Sequence, residues 1–184
     1  MKTRNAIKII GLITIMISII ACSSEKKAVL DKFIASKAKV LVCPVHILDN
    51  QKTSYDTIST QKIIDYLNDK EYAYASTSQL CPPANNEWRV NEAIMLTKSI
   101  DLCVEYVEEN NLPDNTYMLY VEFLKAGSNS HIGAVHYCLL NNKGEIAMRG
   151  LINSKWEEFQ KVNPKTNNDC VNVFINGFEE KMKQ

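Results

Sequence analysis

Between Tyr117 and Ile152 the chain alternates apolar residues and is broken twice by turn formers, a pattern that leaves little choice of fold. Over 117–124 the odd positions Tyr117, Leu119, Val121 and Phe123 are apolar, whereas the even set Met118, Tyr120, Glu122 and Leu124 is mixed. A side-chain period of two puts each set on its own face of a strand. Gly127-Ser128-Asn129 supplies the first turn and Asn141-Asn142-Lys143-Gly144 the second, because Asn and Gly tolerate positive φ. The expected product is a three-stranded antiparallel meander over 117–124, 132–140 and 145–152.

The elements upstream read less regularly. Lys39-Val-Leu-Val-Cys43 is an almost continuous apolar run, the mark of a strand covered on both faces, and Pro44 cannot donate to a ladder, so pairing should fail there. Residues 48–57 are polar and read as a turn. Ser59 caps a helix carrying Ile63, Ile64 and Leu67. Tyr72–Ala75 reads as a short strand, and Cys81-Pro82-Pro83 sits in a loop. Asn85 or Asn86 then opens a long helix whose stripe is Ala93, Leu96, Ile100, Cys103 and Val107, closed by Asn110-Asn111 and Pro113. Trp156 and Phe159 mark a short helix. Asn168 or Asp169 caps a last one with Val171, Phe174, Ile175, Phe178 and Met182 on one face. This order predicts an α+β fold: a two-layer sandwich of a mostly antiparallel sheet with a β-meander and helices packed on one face.

The amino terminus belongs to a different problem. Lys2, Arg4 and Lys8 precede the apolar stretch Ile9–Ala21, which is too short to span a bilayer comfortably. Ile19-Ile20-Ala21-Cys22 resembles the bacterial lipobox, with a branched apolar residue, an apolar residue and a small residue before cysteine. The resemblance implies a lipoprotein signal peptide over 1–21, cleavage before Cys22, and acylation there, with several acyl chains of the palmitate kind holding the chain to a membrane. Ser23 stands where an aspartate would imply inner-membrane retention, so the implied address is the outer membrane, with the domain facing the periplasm or the surface. The chain then divides into a lipid anchor and tether over 22–38 and a single soluble domain over 39–184. Within the tether, Val29, Leu30, Phe33 and Ile34 have the spacing of a short amphipathic helix.

Without the leader, 163 residues remain with 18 basic and 21 acidic side chains, a formal charge of −3 and no basic stripe. Nucleic acid is therefore not an expected partner. The apolar strand Val40-Leu-Val-Cys-Pro44, followed by helices and a late meander, resembles the domain of curli-assembly and TolB-amino-terminal-like periplasmic lipoproteins. That resemblance implies an envelope-assembly role with an envelope protein as partner, and it assigns no functional residue.

Side chains that could do chemistry are few. The cysteines besides Cys22 are Cys43, Cys81, Cys103, Cys138 and Cys170, an odd number for an oxidising compartment. Cys43 and Cys103 lie in apolar surroundings and suit buried, reduced positions; Cys81 and Cys170 lie in loop-like contexts where they could pair. Cys170 also begins a helix, where the dipole would activate a thiol and Asp169 would oppose it. Spacing gives no CxxC and no metal-finger pattern, and no phosphate-binding, dinucleotide or nucleophile-elbow motif occurs, so neither a metal nor a cofactor is expected. His131 and His136 are five apart in one strand and should face opposite ways. His136 shares a face with Ile132, Ala134, Cys138 and Leu140. An envelope hydrolase or thiol enzyme could be built on Cys43 or Cys138 with His46 or His136; of these, Cys138 and His136 share one strand face, roughly 7 Å apart, although no orienting third group is evident. Trp88, Tyr72 and Tyr74 could line a ligand-binding surface near the Cys81 loop. The weight of these observations favours a non-catalytic binding or envelope-assembly accessory module.

Overall fold

Pro44 cuts the first apolar run into two strands, β1 (Lys39–Val42) and β2 (Val45–Asp49), that follow one another along the same edge of a longer strand, β5 (Thr116–Ala126). Cys43 still donates its amide to Leu119 O at 2.9 Å, and the Val45 amide is taken by the Thr60 hydroxyl at 2.8 Å, so the break leaves neither amide without a partner. The structure, a computed structural model, describes residues 27–49, 52–79, 81–85, 91–126 and 131–183. The leader, Cys22, Trp88 and the Gly127–Asn129 turn lie outside the described residues.

The remaining elements are α1 (27–36), β3 (Lys52–Asp56), α2 (Thr57–Asp69), β4 (Tyr74–Thr77), α3 (Glu92–Asn110), β6 (His131–Asn141), β7 (Ile146–Asn153), α4 (Glu157–Val162) and α5 (Asn167–Met182). They form an α+β fold around a mixed seven-stranded sheet. β1 pairs in parallel with β4 and β5, and β2 pairs in parallel with β5. The longest ladders, β5–β6 and β6–β7, are antiparallel and make up the expected meander. The polar stretch read as a turn contributes β3 instead, an antiparallel partner of β2 whose side chains are mostly exposed.

The helices do not share one face, and this corrects the two-layer expectation. Tyr117, Leu119, Val121 and Phe123 pack in one large core with Phe33 of α1, Ile63 and Leu67 of α2, and Phe174 and Phe178 of α5. Met118 and Tyr120, pointing the other way, pack with Leu96, Ile100, Cys103 and Val107 of α3. The mixed even set on β5 reflects that second cover: both faces of the strand are buried. Within the α3 stripe Ala93 is exposed, and Met95 and Ser99 are buried in its stead.

Local chemistry explains the helix ends. Asn91, rather than Asn85 or Asn86, caps α3 by accepting from the amides of Ala93 and Ile94, and Asn111 ends it in the left-handed conformation at φ 47°. Thr166 caps α5 in a reciprocal box with Asp169. A bulge in the β5–β6 ladder, with Leu124 opposite Ala134 but Lys125 opposite Ile132, skips Gly133. Ile132 is thereby turned into the large core, away from the face of His136 and Cys138 where strict alternation would have put it.

Candidate functional site

On the α3 face three neighbouring strands bring together polar side chains that lie far apart in sequence. His46 of β2 and His136 of β6 stand on either side of Glu122 of β5, each in direct register with it. His136 Nδ1 donates to Glu122 Oε1 at 3.0 Å, and the Tyr120 hydroxyl donates to Glu122 Oε2 at 2.9 Å. His46 Nδ1 lies 2.9 Å from the Tyr120 oxygen, which completes a chain from β2 through β5 to β6. From above, α3 contributes Ser99, whose Oγ lies 3.2 and 3.4 Å from the two carboxylate oxygens. Asn85 joins the cluster from its loop, donating to Met95 O at 3.2 Å and to Ser99 Oγ at 3.4 Å. The His46 ring is packed edge-on between Tyr55 and Tyr120, with centroids 4.9 and 4.7 Å away.

This cluster is closed. His46, Tyr120 and Glu122 are each 1 % exposed and His136 is 0 % exposed. Burial lowers His46 to about 4, against a nearby Glu122 that partly opposes the shift, so the ring is neutral near pH 7. Burial, with the Glu122 charge, pushes the Tyr120 hydroxyl well above its ordinary range, and it remains a donor. Nε2 of both histidines is buried with no hydrogen-bond partner among the described residues. The arrangement satisfies one buried carboxyl from several sides and ties α3 to the sheet, the usual requirement for a polar group in an interior.

Four of the cysteines adjoin it. Cys43, Cys103 and Cys138 are fully buried in the core under α3, and half-buried Cys81 packs against them from its loop. Cys43 neighbours Cys81, and Cys103 neighbours Cys138, closely enough for each pair to bear on one another's titration. Burial pushes Cys43 and Cys103 well above the ordinary thiol range, whereas the hydrogen bond from Cys43 lowers Cys81. Cys170 lies in the other core, beneath α5, where burial pushes it up to about 12. The sheet stands between Cys170 and Cys81, so the pairing of those two is corrected.

The sequence candidates fare differently. Cys138 and His136 do face the same side of β6, but their partners are Cys103 and Glu122, and no hydrogen bond joins the two among the described residues. His131 is exposed at the start of β6. Tyr72 packs against Tyr66 and Phe178 on the α2–α5 side, while Tyr74 is 68 % exposed on β4, so the two do not form one surface. Glu122, Ser99 and Asn85 carried no sequence signal as a group. A serine on an otherwise apolar helical stripe and a glutamate in a run of buried residues were the only hints.

An open surface does exist elsewhere. β7 pairs only with β6 among the described residues, leaving its outer edge free. A groove of about 360 Å³ runs over that edge, lined by Thr97 of α3, Arg149 and Leu151 of β7, Trp156, and Glu180 and Lys181 of α5. A second groove, of about 340 Å³, shares Arg149 and Lys181 and continues to Leu30 and Lys27 of α1. Gly150 and Gly177 flank the Tyr137 ring and the Ile152 side chain so closely that a Cβ on either would lie about 2 Å from them: 2.0 Å from Tyr137 Cε1 at Gly150 and 2.2 Å from Ile152 Cδ1 at Gly177.

Fold and site together define an α+β domain with a sealed polar cluster on one side of its sheet and a free strand edge at its margin. No protein-family model, no curated protein and no solved structure matches the chain.

Proposed function

We propose that the chain is a lipoprotein of the cell envelope, anchored to the outer membrane through Cys22, and that its domain acts by binding an envelope protein. The observation that carries the binding half is the contrast in access: the histidines, the buried glutamate and the tyrosine are sealed beneath α3, whereas the free edge of β7 is open between helices on both faces. An exposed strand edge offers unpaired backbone groups to an extended segment of a partner, and flanking grooves can read its side chains. Arg149 and Trp156, both exposed, are the anchors that such a contact would use, since these residue types dominate binding energies. The anchoring half rests on the basic start, the apolar stretch and Ile19-Ile20-Ala21-Cys22. The assembly role rests on the likeness of Val40–Pro44 and the meander to the curli-assembly and TolB-amino-terminal-like domains.

Two measurements test this. Labelled palmitate should enter the protein and be lost in Cys22→Ala, with the variant released from the membrane fraction; unlabelled wild-type protein would overturn the anchor. A photo-crosslinking residue at position 156 should give a discrete protein adduct in intact envelopes that Arg149→Glu weakens. The same residue at position 74, on the exposed side of β4, should give none. Equal adducts at both positions would remove the β7 edge as the binding surface.

A further inference from the structure

The four cysteines of the α3 face lie in one cluster, Cys43, Cys103 and Cys138 buried and Cys81 packed against them. We infer that they are two disulfide pairs, Cys43–Cys81 and Cys103–Cys138, with Cys170 left as the single free thiol of the domain. That the compartment oxidises them rests on the lipoprotein reading above; the choice of partners does not.

The topology selects the pairs. Cys138 stands opposite Tyr120 on one side of β5, and Cys43 bonds to Leu119 O on the other side. Two strand spacings, roughly 9–10 Å, separate Cys43 from Cys138, beyond the ~7 Å between Cα atoms that a disulfide can bridge. Cys103 descends from α3 onto the cluster beside Cys138, and Cys81 comes to it from its loop beside Cys43. Cys170 is excluded because the whole sheet lies between it and the other four. Metal ligation does not compete, since among the described residues no three His, Cys, Asp or Glu side chains converge as a metal site requires.

The chemistry is thiol–disulfide exchange with an external disulfide, either glutathione disulfide or a protein disulfide oxidant. A thiolate attacks one sulfur of the oxidant and expels the other as a thiol. The second cysteine, losing its proton, then displaces the oxidant from the mixed disulfide. Each pair gives up two electrons and two protons, and the oxidant's S–S bond becomes two thiols. Cys81, half-buried and with its thiol favoured as the thiolate by Cys43, is the entry point for the first pair. Cys103 and Cys138 are both fully buried, so their bond forms before α3 closes on the sheet. The two bonds fasten to the sheet the helix that covers the polar cluster, and the loop leading into it.

The test uses the full chain purified in detergent, unfolded and reduced, then refolded in a mixture of reduced and oxidised glutathione. Thiols are then blocked under denaturing conditions and the peptides mapped by mass spectrometry. The expected result is two linked peptide pairs, 43 with 81 and 103 with 138, with label on Cys170 alone among these five. Cys81→Ser should keep the 103–138 link, expose Cys43 to label, and lower the melting temperature by ~10 °C relative to the oxidised parent. Label on all five cysteines, any link to Cys170, or links of 43 with 103 or 81 with 138 would overturn the pairing. The mass of the Cys22 peptide, read in protein extracted from envelopes, reports acylation separately, so failure of the anchor and failure of the pairing are told apart.

Discussion

The two faces of the sheet are built from different materials. Under α1, α2 and α5 the core is apolar and rich in rings: Tyr137, Phe174 and Phe178 pack at centroid separations of 5.2–6.4 Å, and Tyr66 and Tyr72 extend the cluster to the surface. Under α3 the interior holds two histidines, a glutamate, a tyrosine and three buried thiols, with a smaller apolar set around them. The first face is held by non-directional burial, which tolerates imperfect shape. The second is held by hydrogen bonds that are individually modest and costly to leave half made. Residues that resemble a reactive centre in the sequence lie buried beneath a single helix, hydrogen-bonded across three strands.

The largest expected effect comes from cutting the polar face at its middle. Glu122→Ala should destabilise the protein by about 4 kcal/mol in urea unfolding, because it strands His136, Tyr120 and Ser99, as much as Phe174→Ala, about 3–5 kcal/mol, costs the apolar face. Glu122→Gln, which keeps an acceptor, should recover more than half of the loss, a rescue with no counterpart at Phe174. A cost below about 1 kcal/mol for Glu122→Ala would show that the cluster contributes little.

Acid sharpens the contrast further. His46 titrates at about 4 in the folded protein and near its ordinary value of 6.5 when unfolded, so the unfolded chain binds more protons between those values. Stability from this residue is complete above pH 6.5 and is lost as pH falls toward 4, by roughly 3 kcal/mol in all. Unfolding followed from pH 7 to 4 should show this slope, and His46→Gln should flatten it. Amides of α3 should lose hydrogen-exchange protection in that window before those of α5.

Smaller effects belong to the apolar face and its margin. Gly150→Ala and Gly177→Ala should each cost about 2 kcal/mol, because the added methyl meets the Tyr137 ring or Ile152. Thr166→Ala should cost about 1 kcal/mol by removing the cap of α5, visible as a lower urea midpoint with α3 protection unchanged.

The apolar face was largely legible in the sequence. The alternation of Tyr117–Phe123, the Asn141–Gly144 turn and the Val171, Phe174 and Phe178 stripe are local patterns whose periods survive folding. The polar face was not, because its defining contacts depend on register between strands remote in sequence: His46 meets Glu122 only after the break at Cys43–Pro44, and Ile132 leaves the His136 face only because of the bulge at Gly133. β3 leaves no mark in the sequence, because an exposed edge strand needs no apolar alternation. Asn85 has the sequence position of a cap but is a buried partner of Ser99, since an asparagine ahead of a helix looks the same in either role.

The most direct test joins the two regions. The photo-crosslinking residue at position 156 is placed in a chain that also carries His136→Gln and Cys138→Ser, and adducts are read in intact envelopes alongside circular dichroism of the purified variant. If the α3 face is a fastener and the β7 edge is the working surface, the folded variant gives the same adduct in the same yield as the parent. Loss of the adduct from a variant that remains folded would contradict this, and would return His136 and Cys138 to the centre of function.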